Sequence, residues 1–453
     1  MQQSGNHQPR VAFIQNGSRL HYAVPLALQR AGMLDRVYTE WYCGERSAER
    51  WVSKLVSLVK PDLGRRMLHR RCEGLDESKV VRRSTFTLLM HQRRARRSLK
   101  GRFHLLLAGM EKFARLSTAQ GFGDANVLMA FMRENHPLLF EWARARGMLT
   151  VADQIIAPAT IEHAEMTEQF RRWPDWQRAE WFDYLPQVAE IERQTWAVLD
   201  HITCASDYVK QGLLREGVAE ERVSVLPYPL DVQGYPFFDR RPTPAAPARP
   251  VTVGFVGHLH LRKGIPYFCE VAKRLRGRGI RFVLVGPMYI EPSVVEAHRD
   301  VVEIVGPVPR PQVLDWLRKF DVLLFPSTCE GSSSAVTEAM ASGLPVVCSP
   351  NSGSVVRHGT DGFITPYDNV EAMAGYIEQL AADAQLRHDM GLSASRRAAE
   401  FTVDRYSHDI ASLLSRLMAE RGKRADGAGA SGGAAPALRG GETAAPGRLA
   451  GVK

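Results

Sequence analysis

The stretch from Phe325 to Thr365, FPSTCEGSSSAVTEAMASGLPVVCSPNSGSVVRHGTDGFIT, begins at the end of an apolar run, Val322 to Phe325, with the length and composition of a buried strand. Glu330 and Glu338 stand eight positions apart in it, around a Gly-Ser-Ser-Ser segment. The pattern predicts a strand, a small-residue loop, and a helix that carries the second carboxylate. Gly331, Ser332, Ser333 and Ser334 are small enough to turn several backbone N–H groups outward at a helix N-terminus, where the helix dipole favours negative charge. Two acids would repel a bare phosphate, so the predicted ligand carries hydroxyls as well as phosphates.

Upstream, Val251 to Val256 is another apolar strand, followed by the loop Gly257-His258-Leu259-His260-Leu261-Arg262-Lys263-Gly264 and a helix from Ile265 to Arg276. Strands at Phe282–Val285 and Val301–Val305 and a helix at Pro311–Lys319 lead back to the opening stretch. Before this series lies a run from Gly234 to Pro250 with prolines at 236, 242, 244, 247 and 250, which stiffens a spacer and excludes regular structure. The N-terminal half has its own series: strand Val11–Gln15, a turn at Asn16-Gly17-Ser18, and a helix over His21–Ala31. Strands follow at Ala125–Phe131, Leu149–Val151, Leu199–Ala205 and Val223–Leu226.

Strand, turn and helix repeated on both sides of a proline hinge predict an α/β protein of two Rossmann-like doubly wound domains facing across a cleft. The expected boundaries are 1–230 for the acceptor-side domain, 231–250 for the hinge and 251–405 for the second domain. A helix over 406–424 is expected to cross back to the first domain. The Ala/Gly/Pro-rich residues 425–453 are expected to be disordered. In such sheets ligands gather at the C-terminal ends of the strands, which makes Gly17 and the polar pair Asp153-Gln154 candidates. His163, on a helix with Glu162 and Glu165, is the candidate catalytic base of this half.

At 453 residues, 45% hydrophobic and 24% charged, the chain is long enough for two proper cores. Its net charge of +10 suits an anionic partner. Between Lys60 and Arg102 the bases crowd together: Arg65, Arg66, Arg70, Arg71, Arg82, Arg83, Arg93, Arg94, Arg96, Arg97 and Lys100, with Met67, Leu68, Leu88, Leu89 and Met90 among them. That mixture fits helices on an anionic membrane surface or around an anionic acceptor. Aromatic RNA-binding, zinc-finger and helix-turn-helix patterns are lacking, so no nucleic-acid partner is expected. The six cysteines show no metal-ligand spacing, and no leader or membrane-spanning run occurs; the expectation is a cytoplasmic protein, at most peripheral on the inner membrane face. A nicotinamide-type oxidoreductase is disfavoured because no GxGxxG is followed by an acid about twenty residues on.

The pattern GHLHLRKG, then Glu330 and Glu338 as E-x7-E, then SGLPVV and G-x-D-G-F resembles the C-terminal domain of the GT-B glycosyltransferases, specifically glycosyltransferase family 4. The segment CASDYVKQGLLREGVAEERVSVLPYPLD resembles the end of that family's N-terminal domain. Residues 200–405 carry the likeness well and the first 200 only in outline. The resemblance implies that Glu338 holds the ribose hydroxyls of a nucleotide-sugar donor, Glu330 lies near the transferred sugar, Gly331 to Ser334 supply amides, and Lys263 neutralises the diphosphate. It also implies transfer with retention and without a metal or other cofactor, to a glycan or lipid-linked acceptor in cell-surface polysaccharide synthesis. Family members usually carry arginine where this chain has His258, next to Gly257, so Arg262 is the candidate to replace it. The alternative is a non-catalytic nucleotide-sugar-binding protein of the same fold.

Overall fold

The computed structural model describes residues 8–84, 99–178, 182–230, 234–239 and 249–430. Two sheets organise them, and every strand pair in both is parallel. The first has the order β3-β2-β1-β4-β5-β6-β7. Its strands are β1 (Val11–Gln15), β2 (Leu34–Thr39), β3 (Val80–Arg82), β4 (Val127–Phe131), β5 (Leu149–Gln154), β6 (His201–Cys204) and β7 (Val223–Val225). The second has the order β10-β9-β8-β11-β12-β13. It consists of β8 (Val251–Val256), β9 (Ile280–Val285), β10 (Glu303–Gly306), β11 (Val322–Phe325), β12 (Val346–Cys348) and β13 (Gly362–Ile364).

Both sheets have helices on their faces, which is why β1, β4, β8 and β11 are apolar through nearly their whole length. In each sheet the order reverses beside the first strand, between β1 and β4 and between β8 and β11. That switch point opens a crevice at the strands' C-terminal ends. The two crevices face each other, and the loops that line them meet.

The helix Val403–Ala430 returns to the first sheet. Tyr406, Ile410, Leu413 and Leu414 join the core formed by Phe13, Tyr22 and Phe131, and Ser407 Oγ donates to the carbonyl of Ala27 at 2.8 Å. Residues 425–430, expected to be disordered, continue this helix; the rest of the tail lies outside the described residues. Of the expected hinge, 234–239 run along the second domain, with Phe238 N–H donating to Ser342 O, while 231–233 and 240–248 lie outside the description.

Asp153 and Gln154 are not exposed at a strand end. They are the last two residues of β5 and fully buried, because β5 runs three residues beyond the predicted Val151 between β4 and β6. Among the basic residues, Arg82 pairs with Glu77 at 3.5 Å and Arg83 donates to Gln120 Oε1, so both tie elements of the first domain together. Arg93, Arg94, Arg96 and Arg97 lie outside the described residues.

Candidate active site

β8 hands the chain to the loop 257–264 and β11 hands it to 326–333. Gly264 (φ +70°) lets the first loop lie on the second: a Cβ there would sit 1.8 Å from the carbonyl oxygen of Pro326. The contact is fixed by the carbonyl of Arg262, which accepts from Ser327 Oγ and Thr328 N–H, both at 2.9 Å. Its consequence is that Lys263 Nζ stands 2.5 Å from Glu330 Oε1, with Arg262 Nη1 at 3.4 Å from the same oxygen. Lys263, Arg262 and Glu330 were three of the sequence candidates, and the fold brings them together.

The first domain adds charges that the sequence analysis passed over. Arg262 Nε lies 3.5 Å from Glu162, on the helix Ala159–Arg172. Glu162 also pairs with Arg133, whose Nε lies 2.6 Å from Glu192 Oε1. Arg133 donates in addition to the carbonyl of Ala157 at 2.6 Å. Its φ of +64° is a conformation arginine rarely adopts, held by this set of bonds. The result is a line of alternating charge across the domain junction, its acids buried and its bases half-buried: Glu192, Arg133, Glu162, Arg262, Glu330, Lys263. Three cations balance three anions, the arrangement that lets buried charges stay ionised. Burial alone would push the Glu330 carboxyl up, but Arg262 and Lys263 more than offset this and hold it below the ordinary carboxylate range.

The loop after β11 also touches the first domain directly. Ala157 N–H donates to Glu330 O at 3.4 Å, Ser206 Oγ donates to Gly331 O at 2.5 Å, and a Cβ on Gly331 would lie 1.8 Å from the carbonyl oxygen of Ile155. This revises the expected amide cradle. Ser333 N–H is already donated to Ser352 O at 3.2 Å, and Gly331 is turned to the first domain, whereas Ser332 is half-buried and Ser334 exposed. Glu338 sits a short way along the helix Ser334–Ala341, buried, with Arg310 Nη2 at 2.9 Å from its carboxylate. Burial raises its pKa and Arg310 opposes the shift. Arg310, which begins the helix Arg310–Lys319, was not among the sequence candidates.

Gly257 (φ +149°) follows β8 and packs beside Gly286, where a Cβ would lie 1.8 Å from the Gly257 carbonyl oxygen. His258 packs against Tyr289 with ring centroids 5.4 Å apart. Burial, then the Lys263 and Arg262 charges, push the His258 pKa below its ordinary value, so it is neutral at pH 7. It does not supply an arginine's charge at that position, and the nearby Arg262 is paired with Glu162 at 3.5 Å and Glu330 at 3.4 Å. Gly17 (φ +75°) has open space around it; its loop is tied to Glu134, next to Arg133, through Asn16 and Arg19.

His163 is exposed on its helix, while Glu162, Met166 and Gln169 form the buried face that meets the second domain. The helix is oriented by that junction, with Gln169 Oε1 accepting from Tyr267 OH at 2.9 Å, and His163 is left outside the charge line. Asp153 accepts from Thr203 Oγ1 at 2.8 Å and from Tyr228 OH. Burial pushes its pKa up to about 6 against those two hydroxyls. A carboxyl whose folded pKa lies above its unfolded value contributes stability that is present below about pH 4 and is lost as pH rises through the folded value. Asp153→Asn is therefore expected to flatten the pH dependence of the denaturant midpoint between about pH 4 and 6, and to keep or raise stability at pH 7.5, by at most roughly 2–3 kcal/mol. A base acting on substrate would instead lose activity with stability unchanged.

Comparison with known proteins agrees with this architecture. The fold is that of the GT-B glycosyltransferases: sucrose-phosphate synthase from Thermosynechococcus elongatus superposes with a TM-score of 0.60 at 18% identity, covering 91% of this chain and all of that one. Anabaena HepE in complex with UDP gives 0.56 at 16% identity, covering 90% and 100%. Residues 250–383, the second domain, match the family described as glycosyl transferases group 1. The Escherichia coli (strain K12) glycosyltransferase WcaL, named for colanic acid biosynthesis, is 30% identical over 52% of this chain and 60% of its own. The amylovoran biosynthesis glycosyltransferase AmsK of Erwinia amylovora is 26% identical over 37% and 46%. The chain spans about half the length of the curated relatives it matches.

Proposed function

We propose that the protein is a glycosyltransferase that moves a sugar from a nucleotide-sugar donor to a glycan or lipid-linked acceptor in polysaccharide synthesis, working beside an anionic membrane. The observation that carries this reading is the pair of half-buried Lys263 and buried Glu330 with Arg262 beside it, at the meeting point of the two crevices. A donor diphosphate entering there would draw Lys263 away from Glu330. Negative charge that grows on the departing diphosphate then meets an ammonium already largely desolvated and in place, where it acts more strongly than in water. In this reading Glu338, buried on the helix Ser334–Ala341 beside Arg310, accepts from a vicinal diol of the donor, each charge-assisted bond contributing roughly 1.5–3 kcal/mol. The neutralising groups in this reading are Lys263 and Arg262 with no metal ion, and the sugar is transferred with retention. That the relatives WcaL and AmsK are named for colanic acid and amylovoran biosynthesis supports the acceptor class.

The test is transfer of labelled sugar from UDP-, GDP- and ADP-linked donors with and without EDTA. Glu330→Ala is expected to abolish transfer that EDTA leaves intact. Donor binding with no transfer to any glycan or lipid-linked acceptor would favour the non-catalytic alternative.

A further inference from the structure

The helix Ala48–Val59 is placed the wrong way round for a helix whose business is to bury its apolar face. Trp51, Leu55, Leu58 and Val59 follow one another at i, i+4, i+7 and i+8, one stripe of the helix, and are 67%, 64%, 81% and 80% exposed. The inward side is made by Ser53, which is buried, donates to Glu49 O at 2.7 Å and lies 3.3 Å from Cys43 Sγ, with only the two half-buried valines Val52 and Val56 beside it. The next helix, Pro61–Leu68, folds back so tightly that a Cβ on Gly64 would lie 2.3 Å from Ser57 Cα. It adds Leu63, 38% exposed, to the same region of the surface. Half of the exposed large hydrophobic residues of the described chain thus fall between 51 and 63. Isolated exposed leucines need no explanation, but a contiguous stripe does.

Charge identifies what covers it. Residues 46–71 hold eight bases, Arg46, Arg50, Lys54, Lys60, Arg65, Arg66, Arg70 and Arg71, against two acids, Glu49 and Asp62. Lys54 lies over the Trp51 ring with Nζ 5.2 Å from its centroid, and Lys60, Arg65 and Arg66 are exposed. An apolar stripe with an indole at one end and cations around it suits the boundary of an anionic bilayer, where acyl chains take the leucines and headgroups take the bases. No described helix is long and apolar enough to cross a membrane, so a contact of this kind would lie in the interface plane. The hairpin leaves the first sheet at the C-terminal end of β2, the edge that faces the crevice.

We infer that the hairpin of Ala48–Val59 and Pro61–Leu68 is a docking surface for anionic lipid, with Trp51, Leu55, Leu58 and Val59 inserted. This rests on the reading above only for its use, which is to hold the crevice near a lipid-linked acceptor. The full chain is expected to sediment with vesicles of phosphatidylcholine and phosphatidylglycerol mixed, and far less with phosphatidylcholine alone or at high salt. Leu58→Glu/Val59→Glu, at positions exposed enough to leave folding intact, is expected to reduce the bound fraction at least about tenfold. Stabilisation of the same variant by donor nucleotides is expected to be unchanged. Vesicle binding that is absent in the wild type, or equal in the variant, overturns the inference. So does a wild-type dimer that the substitutions turn into a monomer, since a second copy would then be the cover. Loss of donor binding with vesicle binding intact would count against the proposed function and leave this surface standing.

Discussion

Replacing Lys263 by methionine is expected to lower kcat for sugar transfer by roughly 10²–10³-fold while changing donor affinity much less, the scale seen when one pre-positioned group for a developing charge is removed. The expectation comes from where the ammonium stands. Glu330 is its partner in the absence of donor, at 2.5 Å; the acid is buried and Lys263 half-buried, so the cation is largely desolvated before any substrate arrives. The diphosphate gains charge as the glycosidic bond breaks, and the interaction strengthens along that coordinate. Arg262 remains beside Glu330 in the variant and keeps the acid compensated, so the fold should survive. The double variant Lys263→Met/Glu330→Gln sharpens the point. It removes both charges of the pair, so it should melt like the wild type and still fail in transfer. Recovery of activity in the double variant would mean that Lys263 serves only to neutralise Glu330.

Arg133→Met should be the most destabilising single change in the crevice, by about 3–5 kcal/mol, because it leaves Glu162 and Glu192 buried with one cation fewer between them. The loss has a second part. Arg133 also holds the carbonyl of Ala157, and the segment 155–157 is the surface against which Gly331 and Glu330 rest. A fall in the denaturant midpoint is the first readout. The double variant Arg133→Met/Glu192→Gln, which leaves Arg262 and Lys263 against Glu162 and Glu330, should recover most of it, since an uncompensated buried charge costs far more than an absent pair. If the single variant were as stable as the wild type, the line of alternating charge would not be what holds the domains in register.

The residues fixed by short-range spacing were legible in the sequence, and those fixed by the meeting of domains were not. Glu330, Glu338 and Lys263 lie beside strand ends and helix starts that the local pattern encodes, and β1 and β8 follow the predicted spans, Val11–Gln15 and Val251–Val256. Leu34–Thr39 was missed because its Asp35 and Arg36 interrupt the apolar run, and Val346–Cys348 because three residues between a proline and a serine do not by themselves announce a strand. Asp153 and Gln154 looked like solvent-facing residues. Their partners, Tyr228, Thr203, Trp196 and Glu192, come from distant parts of the chain.

That Glu162 and not His163 lies in the charge line was hidden for a related reason. The helix Ala159–Arg172 has polar residues on the face that meets the second domain, and nothing local distinguishes that face from one in water. The spacing of Glu162, Met166 and Gln169 is the signal that could have found it. Arg133 has no sequence signature, since its left-handed backbone is one that glycine or asparagine would normally occupy.

The central claim is that the crevice binds a nucleotide sugar, and calorimetric titration of the full chain with UDP-, GDP- and ADP-linked sugars tests it most directly. One saturable donor is expected, with affinity reduced at least about tenfold in Glu338→Gln, the loss of one charge-assisted contact to the ribose. No binding of any of these donors, or equal binding in Glu338→Gln, would contradict it.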